Sequence, residues 1–252
     1  MMRLVTCIFV LATGALCALA VSTKEPAKSA SETDVITVFL TGNELGQLQP
    51  CGCSGGQLGG LDRRSAVFDG VPVQRRLIVN TGLLVGERSE QNLIKFNIII
   101  QAFSLLDYDL VNLTEKDIEI AENLGLLDSI GSVFNIISSH GPADVNVPVK
   151  FTKQFSLQEE TVAVTVAAFD VESWPIEQIN ELFGPRSNLH SVNILILNTR
   201  DAGDIDKIVK MGIVDCFIVP AESDEPEVIS APLKEPLILS VGRLGRYIGR
   251  LQ

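Results

Sequence analysis

The residues that could do chemistry fall in a glycine-rich loop and at the ends of apolar runs. Cys51-Gly52-Cys53 sits in the loop 42–60, which also carries Gly42, Gly46, Gly55, Gly56, Gly59 and Gly60. Two cysteines one residue apart close a disulfide only as a very small ring, and the intervening Gly52 relieves part of the backbone strain. Such a bond would stiffen the loop and be more easily reduced than a structural one; two free thiols are the alternative. The Cys-x-x-Cys spacing of thioredoxin-type redox sites and zinc knuckles is absent from the sequence. Glu44, Glu115, Asp117 and Glu222 could assemble an all-oxygen site for Mg²⁺ or Ca²⁺, or be ordinary charges of an acidic surface. Arg63 and Arg64 open a helix, where they could bind an anion or pair with neighbouring carboxylates. There are two histidines: His140, beside Gly141-Pro142, reads as a loop residue bonded to backbone, and His190 as a solvent-facing residue before a strand. Cys216 lies inside an apolar run and reads as a buried thiol.

These residues must be positioned by an alternation of strands and helices. Val35 to Leu40 is a short, branched, aromatic run expected of a strand covered on both faces. Further strands are expected at 76–80, 109–113, 133–139, 161–169, 192–197 and 213–219. A closing pair at 237–241 and 247–251 is expected to be joined by a Gly-Arg turn. Ser89 to Leu106 is so apolar that it reads as a deeply packed helix. Thr114 opens another, with Glu115 and Asp117 near its positive dipole end. Pro175 to Phe183 and Gly203 to Met211 complete the helices. The pattern is an α/β layered fold with helices covering the sheets. In such folds the loop at the carboxyl end of the first strand is where chemistry is placed.

Composition narrows the partners. The 252 residues are 46% hydrophobic, enough for a packed core, and the formal charge of −11 argues against binding nucleic acid. Residues 1–20 read as a signal peptide: Arg3 precedes an apolar run from Leu4 to Leu16, and Ala18-Leu19-Ala20 fits the cleavage rule. An uncleaved anchor is the alternative. Val21 to Asp34 reads as a flexible linker, so the mature domain is 35–252. It is expected to be exported, periplasmic or extracellular, with no stable membrane span after cleavage. Asn112-Leu113-Thr114 matches a glycosylation sequon in a poor strand-to-helix position. Arg243, Arg246 and Arg250 read as a solvated edge that resists edge-to-edge pairing.

Taken in order, FLTGNELGQLQPCGCSGGQLGGLDRR, LIVNTGLL, LDYDLVNLTEKDI, NILILNTRDAG, GIVDCFIVPAES and VGRLGRYIGRL resemble the calcineurin-like metallophosphoesterases, in the branch that includes secreted 5′-nucleotidases. The resemblance spans Val35 to Gln252 and implies a layered α/β/β/α sandwich. It also implies two metal ions clamping a phosphate while a metal-bound hydroxide attacks. Carried over, the family's ligand positions are degenerate. The first Asp-x-His falls on Asn43-Glu44-Leu45 and the bridging Asp on Leu83. The Asn-His pair falls on Glu115-Lys116, the strand-end His on Thr199 and the last Gly-His on Pro220-Ala221. Neither His140 nor His190 lands on a ligand position. The expectation is an exported, catalytically inactive metallophosphoesterase-like protein with a binding or structural role and no metal or other cofactor. Its partner is expected to be another exported protein or a small anionic ligand. The rival readings are an active phosphoesterase with atypical ligands, and a redox or cysteine-loop protein built around Cys51 and Cys53.

Overall fold

The computed structural model describes residues 35–50, 57–140, 147–158, 160–184, 190–230 and 236–252. The signal peptide, the linker and the Cys51–Cys53 pair lie outside the described residues. In chain order the elements are β1 (Thr37–Thr41), α1 (Arg64–Phe68), β2 (Arg76–Asn80), α2 (Glu90–Leu105), β3 (Leu110–Asn112), α3 (Glu115–Asn123), α4 (Leu127–Val133) and β4 (Asn135–Ile137). The second half holds β5 (Lys150–Leu157), β6 (Glu160–Phe169), α5 (Ile179–Phe183), β7 (Ser191–Leu197), α6 (Ala202–Val209), β8 (Cys216–Ile218), β9 (Glu227–Val228), β10 (Leu237–Ser240) and β11 (Gly249–Leu251).

The strands form two sheets, ordered β11-β1-β2-β3-β4 and β5-β6-β7-β8-β10-β9. β1 to β4 are parallel, as are β6, β7, β8 and β10, while β11, β5 and β9 run antiparallel at the edges. Period-2 side-chain alternation distributes the apolar residues over three layers. Val38, Leu40, Leu77 and Val79 face Val164, Val166, Ile194 and Ile196 between the sheets. Phe39 and Ile78 turn outward under α2 and α3, against Phe96, Ile99, Phe103 and Ile118. Ala167, Phe169, Leu195 and Leu197 turn outward under α5 and α6, against Ile179 and Ile208. The architecture is therefore an α/β/β/α sandwich.

Several expectations are revised. The segments 237–241 and 247–251 do not pair with each other: β10 joins β8 and β9 in one sheet, while β11 joins β1 in the other. Each strand finds its partner through layer packing, which a short intervening turn does not dictate. β5, with its exposed, polar alternation, and α4 carried too little apolar signal to be anticipated. Finally, α2 is packed on one side alone. Phe96, Ile99 and Phe103 are buried, but Ile94, Ile98 and Leu105 are 63%, 43% and 86% exposed.

Candidate functional site

The carboxyl ends of β1, β2, β3, β4, β6, β7 and β8 converge on a cleft of about 380 Å³. Three of the seven positions that the resemblance aligns with metal ligands line it: Asn43, Leu83 and Glu115. Leu45, Lys116, Thr199 and Ala221 do not, although Pro220 does. Asn43, Leu45 and Leu83 all have left-handed backbones, at φ 53°, 51° and 61°. That conformation is costly for leucine. It is held by backbone bonds between the loops after β1 and β2: Asn43 N–H donates to Gly82 O (2.8 Å), Leu45 to Leu83 (3.2 Å) and Gly46 to Leu84 (2.8 Å). Asn43 Nδ2 donates across the molecule to Gly242 O at 2.8 Å.

The carboxylates proposed as an all-oxygen site are held apart by separate partners. Glu44 is fully buried; its Oε1 accepts from Arg64 Nη1 (3.0 Å), and both its oxygens accept from Asn80 Nδ2 (3.0 and 3.1 Å). Arg64 is buried as well, and it donates to the Tyr108 hydroxyl (2.6 Å) and to Gly245 O (3.3 Å). Tyr108 also meets Thr41 Oγ1 at 2.9 Å. Burial pushes the Tyr108 hydroxyl above its ordinary range, against the opposing pull of Arg64. Burial disfavours the Arg64 charge, but Tyr108 and Glu44 outweigh it and hold the guanidinium protonated. Gly245, at φ 55°, is required here, since a Cβ would lie 2.6 Å from Arg64 Nη2. Arg64 thus serves the carboxylate rather than an external anion, while Arg63 is exposed and donates to Gln57 O at 2.7 Å.

Asp117 is also fully buried. It accepts from the N–H groups of Leu83 (2.9 Å), Leu84 (3.0 Å) and Thr114 (3.1 Å) and from Thr114 Oγ1 (2.7 Å). Burial pushes its carboxyl up to about 6 against those four donors. Glu222 is exposed and lies 3.5 Å from Arg200 Nε.

The sequence reading missed the polar centre of the cleft, His140 and Asp170. His140 Nε2 lies 2.7 Å from Asp170 Oδ2, and Ser173 Oγ donates to that same oxygen at 2.7 Å. Asp170 Oδ1 accepts from Glu172 N–H at 2.9 Å and from Asn198 Nδ2. Burial raises the Asp170 carboxyl, but Ser173, the Glu172 amide, His140 and Asn198 together hold it below the usual carboxylate range. His140 is therefore a cleft residue held by a carboxylate. The available signal was positional, since SSHG and FDVES both follow apolar strand runs and so reach the same edge of the fold. By contrast His190 lies on the surface, 3.4 Å from Glu160 Oε2. Among the described residues the cleft lining includes Glu115, Asp170 and Glu172 but no lysine or arginine. Asn112 Oδ1, buried at the end of β3, has no hydrogen-bond partner among the described residues.

Neither a protein-family model nor a curated protein sequence matches this chain. Solved structures do. A 5′-nucleotidase precursor from Thermus thermophilus matches with TM-score 0.62 and 16% identity, over 85% of this chain and 50% of that one. NAD nucleotidase (NadN) from Haemophilus influenzae matches with TM-score 0.63 and 11% identity, over 85% and 46%. The sulfate thiohydrolase SoxB from Thermus thermophilus gives 0.55 and 11%, over 86% and 53%. At these identities the likeness is one of fold, which is of metallophosphoesterase type, and the chain spans about half the length of these proteins. The dinuclear metal centre that the fold family implies does not fit the residues present. Of the positions that the resemblance aligns with ligands, Leu83 in the cleft and Leu45 outside its lining carry no donor, the buried Glu44 and Asp117 are already bonded, and among the described residues no three His, Cys, Asp or Glu side chains group to hold a metal. No helix among the described residues is long and apolar enough to cross a membrane.

Proposed function

We propose that this chain is a non-hydrolytic protein of metallophosphoesterase fold, exported, that uses the strand-end cleft to bind a small polar molecule. The observation that carries this reading is the state of the ligand positions. The loops after β1 and β2 hold a strained left-handed backbone at Leu45 and Leu83, positions that the resemblance aligns with metal ligands. Strain of that kind persists where the surrounding structure over-determines it, typically at functional sites. The cleft instead offers the His140–Asp170 pair and the carboxylates Glu115 and Glu172. A neutral or cationic, hydrogen-bond-rich ligand suits that lining better than a phosphate.

Elemental analysis joined to activity assays tests the reading. The purified mature protein is expected to carry no stoichiometric metal, and to hydrolyse neither nucleotides nor simple phosphate esters with added Mn²⁺, Zn²⁺ or Mg²⁺. A water that no bound cation acidifies keeps its unreactive pKa. Turnover that survives purification and disappears with chelator would overturn the proposal. Export is tested separately: cleavage after Ala20 follows from Arg3, the apolar run and Ala18-Leu19-Ala20. N-terminal sequencing is expected to begin at Val21, and an intact Met1 in a membrane fraction would contradict it.

A further inference from the structure

Asp117 is buried where the loops after β2 and β3 meet, and every group bonded to its carboxylate is a donor. Oδ2 accepts from Leu83 N–H, Thr114 N–H and Thr114 Oγ1, and Oδ1 accepts from Leu84 N–H alone. The two peptide planes that grip it also carry the loop after β1. In the Gly82–Leu83 peptide the N–H donates to Asp117 while the carbonyl accepts from Asn43 N–H. In the Leu83–Leu84 peptide the N–H donates to Asp117 while the carbonyl accepts from Leu45 N–H. Two hydrogen-bonded chains thus run from one carboxylate, through one peptide each, into the loop after β1. Bonds in such a chain polarise one another. Asn43, Leu83, Thr114 and Glu115 all line the cleft. Gly82, at φ 103°, lets the loop close on the start of α3, since a Cβ there would lie 2.9 Å from Thr114 Cγ2.

We propose that Asp117 is a proton-operated latch on the cleft: ionised, it holds the loops after β1 and β2 in one arrangement, and protonated, it loosens them. A proton on Oδ1 meets the Leu84 N–H, donor against donor, and displaces it. A proton on Oδ2 is accommodated only when Thr114 Oγ1 turns from donor to acceptor. Either way, charge-assisted bonds become neutral ones of roughly half the strength. The left-handed backbone at Leu83 then loses part of its support.

Burial pushes the carboxyl up to about 6 against its donors, so the latch changes state in mild acid. The charged residues on the surrounding elements are Glu115, Lys116, Glu119 and Glu122 of α3, Glu87 and Arg88 after β2, and Glu44 after β1. His140, Asp170 and Glu172 line the same cleft. Arg88 pairs with Glu119 at the surface, Glu44 with Arg64 and His140 with Asp170; none of these groups bonds Asp117 among the described residues. Fold and loop respond in opposite directions. Protonation relieves a buried charge and so favours the folded chain, while it slackens the two loops. The latch stands on these bonds whatever the cleft takes; its effect on a ligand rests on the cleft being the binding site.

The test is NMR of the isotope-labelled, ligand-free mature chain, titrated from about pH 7.5 to about pH 4.5. The amide signals of Leu83, Leu84, Thr114, Asn43 and Leu45 are expected to move along one common curve with its midpoint at about 6. Protection of the Leu83 and Leu84 amides against hydrogen exchange is expected to fall at least roughly tenfold across it, while the amides of β2 and β7 keep theirs. Asp117→Asn is expected to abolish the curve. Thr114→Val removes one donor to the carboxylate and is expected to move the midpoint upward, which a purely packing role would not do. His140→Gln is expected to keep the curve, which separates it from titration of the imidazole in the same cleft. Leu83 and Leu84 amides that follow separate curves, or none, overturn the inference. So does a curve that survives Asp117→Asn, one lost with His140→Gln, or a midpoint that Thr114→Val leaves in place or lowers. If Asp117→Asn fails to fold, the parent and the other two variants decide. No ligand is added, so a negative result counts against the latch and leaves binding in the cleft to its own assays.

Discussion

Glu44 and Arg64 place opposite charges in the interior at 3.0 Å, on the segment where the family's first metal ligands would lie. Taking both out of water is expensive, and their attraction offsets the cost only because Asn80 and Tyr108 satisfy the remaining lone pairs and protons. Removing one member then exposes the penalty of the other. Arg64→Met is expected to lower unfolding free energy by about 3–5 kcal/mol, since it leaves the Glu44 carboxylate buried beside an amide alone. The double variant Glu44→Met/Arg64→Met is expected to be less damaging than either single one. Urea denaturation of all four proteins measures the coupling; additive losses would mean that the two side chains do not act as a unit.

Asp117 works at the level of elements, because it caps α3 through Thr114 and at the same time grips the loop after β2 through the Leu83 and Leu84 amides. Its carboxyl is raised from 3.8 to about 6 by burial. Below pH 4 folded and unfolded chains both hold the proton; between about 4 and 6 the folded chain alone holds it. The stabilisation from this group is thus fully present in acid and is lost as pH rises through 6, on the order of 3 kcal/mol in all. Asp170 acts with the opposite sign, its contribution being present above the ordinary carboxylate value and lost as pH falls further. Asp117→Asn is expected to flatten the dependence of the urea midpoint on pH between 4 and 6. An unchanged slope would assign that dependence elsewhere. Elements of this kind were legible where local chemistry is strong, as in Thr114 with Glu115 and Asp117 opening α3, or the branched runs of β2 and β7. They were illegible where packing decides: β10 and β11 go to different sheets, and α2 leaves Ile94, Ile98 and Leu105 outside. Of the site positions carried over by resemblance, Asn43, Leu83 and Glu115 line the strand-end cleft and the other four do not. The His140–Asp170 pair was not, because 30 residues and an extra strand pair separate its members in sequence.

For the whole molecule, the decisive feature is that each central strand serves two layers at once. β6 sends Val164, Val166 and Ala168 between the sheets and Ala167 and Phe169 beneath α5. β7 divides Ile194 and Ile196 from Leu195 and Leu197 in the same way, and β1 and β2 do so on the other sheet. One layer cannot be dismantled without releasing side chains from the next, so the sandwich should unfold as a unit. Cys216 reports on that unit. It is a free thiol in the layer between the sheets, 4% exposed, with its pKa pushed up to about 12, chiefly by burial. A thiol so placed is neither accessible nor ionised, and reacts only when the sheets part. In a Cys51→Ser/Cys53→Ser background, labelling of Cys216 by a disulfide reagent at pH 8 is expected to be at least roughly a thousandfold slower than in urea-unfolded chain. Across a urea titration its accessibility is expected to follow the loss of far-UV circular dichroism. Labelling that precedes the loss of helix would show that the sheets separate while the outer layers persist, and would refute the single cooperative sandwich.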